Sequence, residues 1–201
     1  MHPFTENNYL NKVFSHLSFE EGCIEQLVFE NCQFKQCTFT GVTFSKVRFT
    51  DCDFESCNLS LAKFPGCRFS EVVFNNTRLA GINWTEISWP QVKLTSPLSF
   101  YSCNISHSSF YSVDLADLIV EECKAHDVDF RESNLSHASF KGTDLLNSLF
   151  LHTNLKAADF TQAINYSIDP NTNIITQARF SFPEVMALLN YFNIKIEGWV
   201  D

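Results

Sequence analysis

The sequence predicts a solenoid, and three observations carry that prediction. An apolar residue recurs at every fifth position from Phe14 onward. A second track, two residues ahead of these and starting at Leu17, holds only small or apolar residues. Charged residues in the array fall on the remaining three positions. A period of five matches neither the 3.6 of a helix nor the 2 of a strand. It fits a chain that turns a corner at a fixed interval and stacks coil upon coil.

The elements follow in order. Residues 1–13 form an N-terminal cap or an irregular first turn: Phe4 and Tyr9 keep the five-residue frame, but Lys12 falls on the uncharged track. The array spans residues 14–163. Its central track holds seventeen positions from Phe14 to Leu94, then resumes at Phe100 and holds thirteen more to Phe160. With 45% of the chain apolar, thirty successive hits are not chance, and 17 of the 21 Phe stand in this position. The six-residue step at 95–99 is a one-residue slip of the frame. Pro90 and Pro97 flank or occupy it, and they predict a bulge or kink because proline donates no ladder hydrogen bond. Residues 164–201 read as a C-terminal loop, a capping helix and a dimerisation segment. Ser181 and Glu184 have capping-box spacing with Pro183 in the first turn, so a helix is expected over 182–191, followed by a short strand at Ile194-Lys195-Ile196. Val185, Met186, Leu189, Phe192, Ile194 and Ile196 supply more apolar surface than one capping face needs, and they are the expected dimer contacts.

The repeat resembles the pentapeptide repeat family. Asn134-Leu135-Ser136 after Ser133, and Asp159-Phe160-Thr161 after Ala158, are good instances of its grammar. The fold this implies is all-β: a right-handed quadrilateral β-helix with four repeats per coil, here closed by a small C-terminal α-helical cap. Further segments are similar to members that confer albicidin resistance, quinolone resistance or microcin immunity. They include Cys57-Asn58-Leu59-Ser60, Trp89-Pro90, Glu122-Cys123-Lys124-Ala125-His126-Asp127 and Ala178-Arg179-Phe180-Ser181-Phe182-Pro183-Glu184. Those members bind DNA gyrase, and some bind topoisomerase IV. The resemblance therefore implies a DNA-mimicking protein that protects gyrase from a poison, with a homodimer formed through the C-terminal tail. One departure stands out: quinolone-resistance members project loops from their coils, and this frame has no room for a long one.

The chemistry of the sequence points the same way. Lys and Arg number 14 against 23 acids, giving a net charge of −9, so direct nucleic-acid binding is not expected. No phosphate loop, H-E-x-x-H or paired C-x-x-C occurs, so no enzyme, metal or cofactor is expected. Seven of the eight cysteines fall on the uncharged track and read as buried reduced thiols. No apolar run reaches the ~18–20 residues of a membrane span, and the N-terminus has no signal-peptide pattern. A soluble, cytoplasmic protein is expected. The densest charge is acidic: Asp114, Asp117, Glu121, Glu122, Asp127, Asp129 and Glu132. By their repeat positions these touch several faces of one coil. They are the candidate partner-binding surface, and a solvated belt is the plain alternative. A structural or adaptor solenoid without a topoisomerase role is the competing function.

Overall fold

The computed structural model describes residues 3–89 and 96–195. The chain winds as a right-handed, four-sided β-helix in which every ladder is parallel. Asn8–Leu10, Val28–Glu30, Arg48–Thr50 and Arg68–Ser70 form one wall. Val13–Ser15, Gln33–Lys35, Asp53–Glu55, Val72–Asn75, Leu98–Tyr101 and Ile119–Glu121 form another. Cys23–Glu25 pairs with Thr43–Ser45 and Asp159–Phe160 with Arg179–Phe180, and other coils are joined by single bridges such as Asn58↔Arg78 and Ser109↔Asp129. From Phe14 to Phe180 the coils rise eight steps, roughly 38 Å at strand spacing.

The central track fills the axis as four columns, one behind each wall. The Phe34 column is aromatic almost throughout: Phe34 and Phe54 lie 4.5 Å apart and 6° from parallel, and Phe140 and Phe160 lie 5.0 Å apart at 9°. The Phe44 column continues through Phe64, Trp84, Phe110, Phe130 and Phe150. The Phe49 column turns aliphatic at Leu115, and the Phe39 column does so at Leu59. Neighbouring columns meet edge to face, as Phe64 and Phe69 do at 5.3 Å and 79°. This is the arrangement the ring quadrupoles favour.

The second track does more than fill space. At several turns a backbone N–H and a C=O inside the rod are bridged by a Cys, Ser or Thr side chain of the track. Thr77 Oγ1 accepts from Cys57 N at 3.2 Å and reaches Phe54 O at 3.1 Å. Thr143 Oγ1 does the same for Cys123 N and Val120 O, at 3.1 and 2.7 Å. Ser148 Oγ does so for Val128 N and Ala125 O, at 3.1 and 2.5 Å. The thiol of Cys103 donates to Phe74 O, 3.3 Å, and accepts from Thr77 N, 3.5 Å. Where Cys, Ser or Thr stands on the track it both donates and accepts; where Val42 or Ala62 stands there, its own N–H takes the turn carbonyl instead, as in Val42 N to Phe39 O and Ala62 N to Leu59 O. The seven track cysteines are buried and reduced, while Cys23 is exposed.

Most corners are made by polar L-residues in the left-handed region, among them Asn31 (φ 48°), Lys46 (φ 54°), Glu71 (φ 53°) and His107 (φ 60°), with glycine at a few. Asn, Asp and His enter that region most readily, yet Glu, Gln and Lys also hold it here.

The structure revises the expected boundaries. Asn8–Leu10 already pairs with Val28–Glu30, so the ladder starts six residues ahead of Phe14. Phe4 plugs its open end. Its ring lies 5.1 Å from Phe29 and 5.3 Å from Phe14, and near-parallel to Phe39 at 6.4 Å. The ladder position beneath Phe39 belongs to Phe19, whose N–H donates to Thr38 O. Phe19 instead turns its ring against Gly22, where a Cβ would stand 2.3 Å from its Cζ.

The slip at 95–99 is a larger event than one residue. Val72–Asn75 pairs with Leu98–Tyr101 at a separation of twenty-six residues, against twenty in the neighbouring coils. Ser88 N still bonds Cys67 O in the ordinary register, and Pro97 O already accepts from Val72 N. Six extra residues therefore fall between Ser88 and Pro97. The expected inward Val92 and Leu94 lie outside the described residues. The frame does make room for an insertion, because the ladder closes over it: sequence period alone counts residues modulo five and cannot distinguish one extra residue from six.

At the other end the register does not dissolve after Ala163. Asn154 bridges Ile174, and Asp159–Phe160 pairs with Arg179–Phe180, both at twenty residues. Within that coil Phe150 bridges Ile168, eighteen residues on, and Tyr166 and Ile168 take the buried places. The expected loop 165–173 is thus a distorted last coil. The C-terminal helix is Glu184–Phe192 and is wound as a 3-10 helix, tighter than the α-helix the pattern predicts. Ser181 does not cap it: Ser181 Oγ accepts from Gln162 N at 2.9 Å and ties the helix entry to the last coil. Among the described residues Ile194 and Lys195 are not in a strand, and Ile196 lies outside them.

Candidate partner-binding surface

The five-residue grammar decides where each side chain of the acidic belt stands. Asp117, Glu122, Asp127 and Glu132 are corner residues with φ of 63°, 54°, 55° and 60°. They project from four successive corners of one coil. Asp114, Glu121 and Asp129 sit on wall positions beside Leu115, Val120 and Phe130. The seven acids thus ring the rod, as their repeat positions predict, and the fold gathers them onto no single wall.

Most of these acids are tied to neighbouring coils. Asp129 is held by Arg131, with Nη2 to Oδ2 at 2.8 Å and Nε to Oδ1 at 2.9 Å. That side-chain hydrogen bond keeps the Asp129 carboxyl below its usual range. Asp114 accepts from Asn134 Nδ2 at 2.8 Å, and Asn154 Nδ2 in turn donates to Asn134 Oδ1 at 2.9 Å. Glu121 accepts from Ser139 Oγ at 2.6 Å, and Glu122 from Ser102 Oγ at 3.3 Å. Asp127 accepts from Asn147 Nδ2 at 3.2 Å and stands 3.7 Å from His107 Nδ1. These polar ladders fix the direction of the carboxylates while leaving oxygens facing solvent.

One His–Asp contact was not legible in the sequence. His126 Nε2 lies 2.7 Å from Asp144 Oδ2, and Asn165 Nδ2 donates to Asp144 Oδ1 at 2.8 Å. Burial pushes the Asp144 carboxyl up. The hydrogen bonds from Asn165 and His126 outweigh that and leave it below the usual range. Outward positions one coil apart produced the contact. Their spacing of 18 residues was the available signal.

The C-terminal end carries the apolar surface. Leu188 is buried, Val185 packs on the core, and Met186 and Leu189 are half-buried. Phe192 and Ile194 are exposed, and so are Tyr191 and Phe182, the last at 81%. Tyr191 OH and Ser167 Oγ are 2.5 Å apart, which pins the helix end to the last coil. A groove of about 550 Å³ runs beside it, lined by Leu149, Leu151, Ser167 and Tyr191 among others. Leu149 and Leu151 flank Phe150 on outward positions, so the frame alone marks them as exposed apolar residues. Among the described residues no group of His, Cys, Asp and Glu could hold a metal ion, and no helix is long and apolar enough to cross a membrane.

Comparison with known proteins agrees with this architecture. The family model described as the pentapeptide repeat region matches residues 27–97 and 85–160. No curated protein matches the sequence. Among solved structures, full-length QnrB1, a plasmid-mediated fluoroquinolone resistance protein, is 18% identical with a TM-score of 0.60, over 93% of this chain and 100% of that one. A trypsin-treated variant of QnrB1 is 21% identical with a TM-score of 0.52, over 98% and 94%. At such identities the likeness is one of fold. With the five-residue tracks, the parallel four-sided ladder and a family match across most of its length, the chain belongs to the pentapeptide repeat family.

Proposed function

We propose that this protein is a DNA mimic that binds DNA gyrase and shields it from a poison, so conferring resistance or immunity. The observation that supports the reading is a narrow rod ringed by oriented carboxylates in its second half. Such a rod can enter a basic groove built for a duplex, with electrostatics setting the encounter rate and shape the selectivity. The fold likeness to QnrB1 adds weight. Topoisomerase IV, whose DNA groove has the same task, is a second target. The protein acts as a binding module in the cytoplasm, without catalysis or cofactor. It works as a homodimer joined through Phe192, Ile194 and their neighbours, which doubles the belt about a two-fold axis.

The test is gyrase supercoiling and cleavage across several poisons, together with binding to the breakage-reunion subunit. Restored supercoiling under at least one poison, with measurable binding, is the expected result. No effect and no binding would end the reading. The alternative, an adaptor rod for another protein, is favoured by one observation: the belt acids are largely engaged with their own neighbours and face all four sides.

A further inference from the structure

The corner between the Phe44 and Phe49 columns collects cations on a chain whose net charge is −9. Arg48 and Arg68 pair in register across the parallel ladder. Lys46 occupies the turn before Arg48, and Lys63 lies on the adjoining wall, bridged to Thr43. All four are exposed. No acid occurs in 37–50 or in 56–70. Among the described residues none of the four makes an ion pair. A groove of about 370 Å³ is lined by Lys46, Arg48, Arg68, Gly66, Gln26 and Ser88, with Lys63 outside it. Gly66 turns the corner at φ +66°, in the left-handed region that favours glycine.

This arrangement opposes stability. Arg48 and Arg68 are in register on neighbouring strands, and like charges placed directly opposite repel. Further along the same column stand Asn134 and Asn154, whose amides bond each other at 2.9 Å. The fold therefore has a favourable solution for this column and does not use it at Arg48 and Arg68.

We propose that this corner docks a short carboxylate-rich segment of a partner protein. Guanidinium forks match carboxylates bidentately. Four cations spread over about two coils accommodate two or three carboxylates. A phosphate backbone fits less well. It would continue from the patch onto coils carrying Asp51, Glu71 and the acidic belt, and duplex binding needs many neutralised phosphates. The inference is independent of the enzyme named above, since it concerns the opposite charge and a different part of the rod.

The experiment titrates the full chain at low salt with an acetylated, amidated hexaglutamate peptide and, separately, with a single-stranded oligothymidine of equal charge. Binding is followed by amide chemical shifts. The variants are Lys46→Gln/Arg48→Gln/Lys63→Gln/Arg68→Gln and, as control on another wall, Arg78→Gln/Lys124→Gln. Expected are peptide binding with shifts centred on this corner, a loss of at least about tenfold in the first variant, and wild-type binding in the control. The first variant should also melt no lower than wild type. Absence of peptide binding, equal binding by the first variant, tighter binding of the oligonucleotide, or a lowered melting point in the first variant would each overturn the proposal.

Discussion

Phe74 lies flat against Phe100, with ring centroids 5.3 Å apart and planes 9° from parallel, although twenty-six residues separate them. The rings stack as Phe54 and Phe74 do across an ordinary coil, at 5.0 Å and 20°. The six surplus residues thus leave the packing of the core untouched. Deleting residues 90–95 returns this coil to twenty residues. We expect a folded, cooperative protein whose melting temperature stays near that of wild type. Circular dichroism melts check this, and a chain that fails to fold would show that the surplus residues are needed by the core.

Thr77 bridges Cys57 N and Phe54 O inside the rod. Thr77→Val keeps the volume but strands both groups, and buried unpaired backbone groups cost about 1–3 kcal/mol. Thr77→Cys keeps a donor and acceptor in place, as Cys103 does in the next coil, and should cost less. Urea unfolding of the two variants gives the comparison, and equal losses would remove the bridging role.

Phe4 seals the first coil against Phe14, Phe29 and Phe39. Phe4→Ala should cost about 3–5 kcal/mol if the end is as tightly packed as a core, and less where the coil frays. Hydrogen exchange should therefore quicken at Asn8–Leu10 and Val28–Glu30 while coils beyond Phe54 keep their protection. Uniform quickening along the rod would contradict a local cap.

Burial pushes the thiols of Cys52 and Cys67 up to about 12, from an ordinary 9.0. The unfolded chain releases these protons first. Stability is therefore fully retained below about pH 9 and falls as pH rises from there towards about 12, by about 1.4 kcal/mol per pH unit for each thiol. Denaturant midpoints between about pH 7 and 11 test the sign. Constant stability across that range would mean that the thiols ionise in place.

Neutralising the belt with Asp114→Asn, Asp117→Asn, Glu121→Gln and Glu122→Gln should slow association with gyrase several-fold at low salt and leave melting nearly unchanged. The difference should shrink as salt screens the charges. Surface plasmon resonance across a salt series measures it, and identical on-rates would reduce the belt to a solubilising coat.

How much of this was legible beforehand follows from what a period can encode. The five-residue tracks named the inward residues from Phe14 to Phe160, and the structure buries nearly all of those it describes. The positions of the belt acids followed from the same frame. What the frame could not give is whatever breaks it. Phe4 replaces Phe19 through a ring contact, not through spacing. Tyr166 and Ile168 restore the last coil by trading an eighteen-residue step against a longer one. Ser181 left its expected helix to serve Gln162, because an unpaired amide on the last coil competed for it. Arg48 and Arg68 were in plain sight, twenty residues and so one coil apart, but that neither makes an ion pair among the described residues is seen only in the structure.

Because the enlarged coil hands the next one the same ring, carbonyl and amide as any other, lengthening the chain at that corner is invisible to the interior. The walls can diversify by insertion while the axis is inherited unchanged. A foreign epitope spliced between Ser88 and Pro97 would fly like a flag from a mast of fixed height.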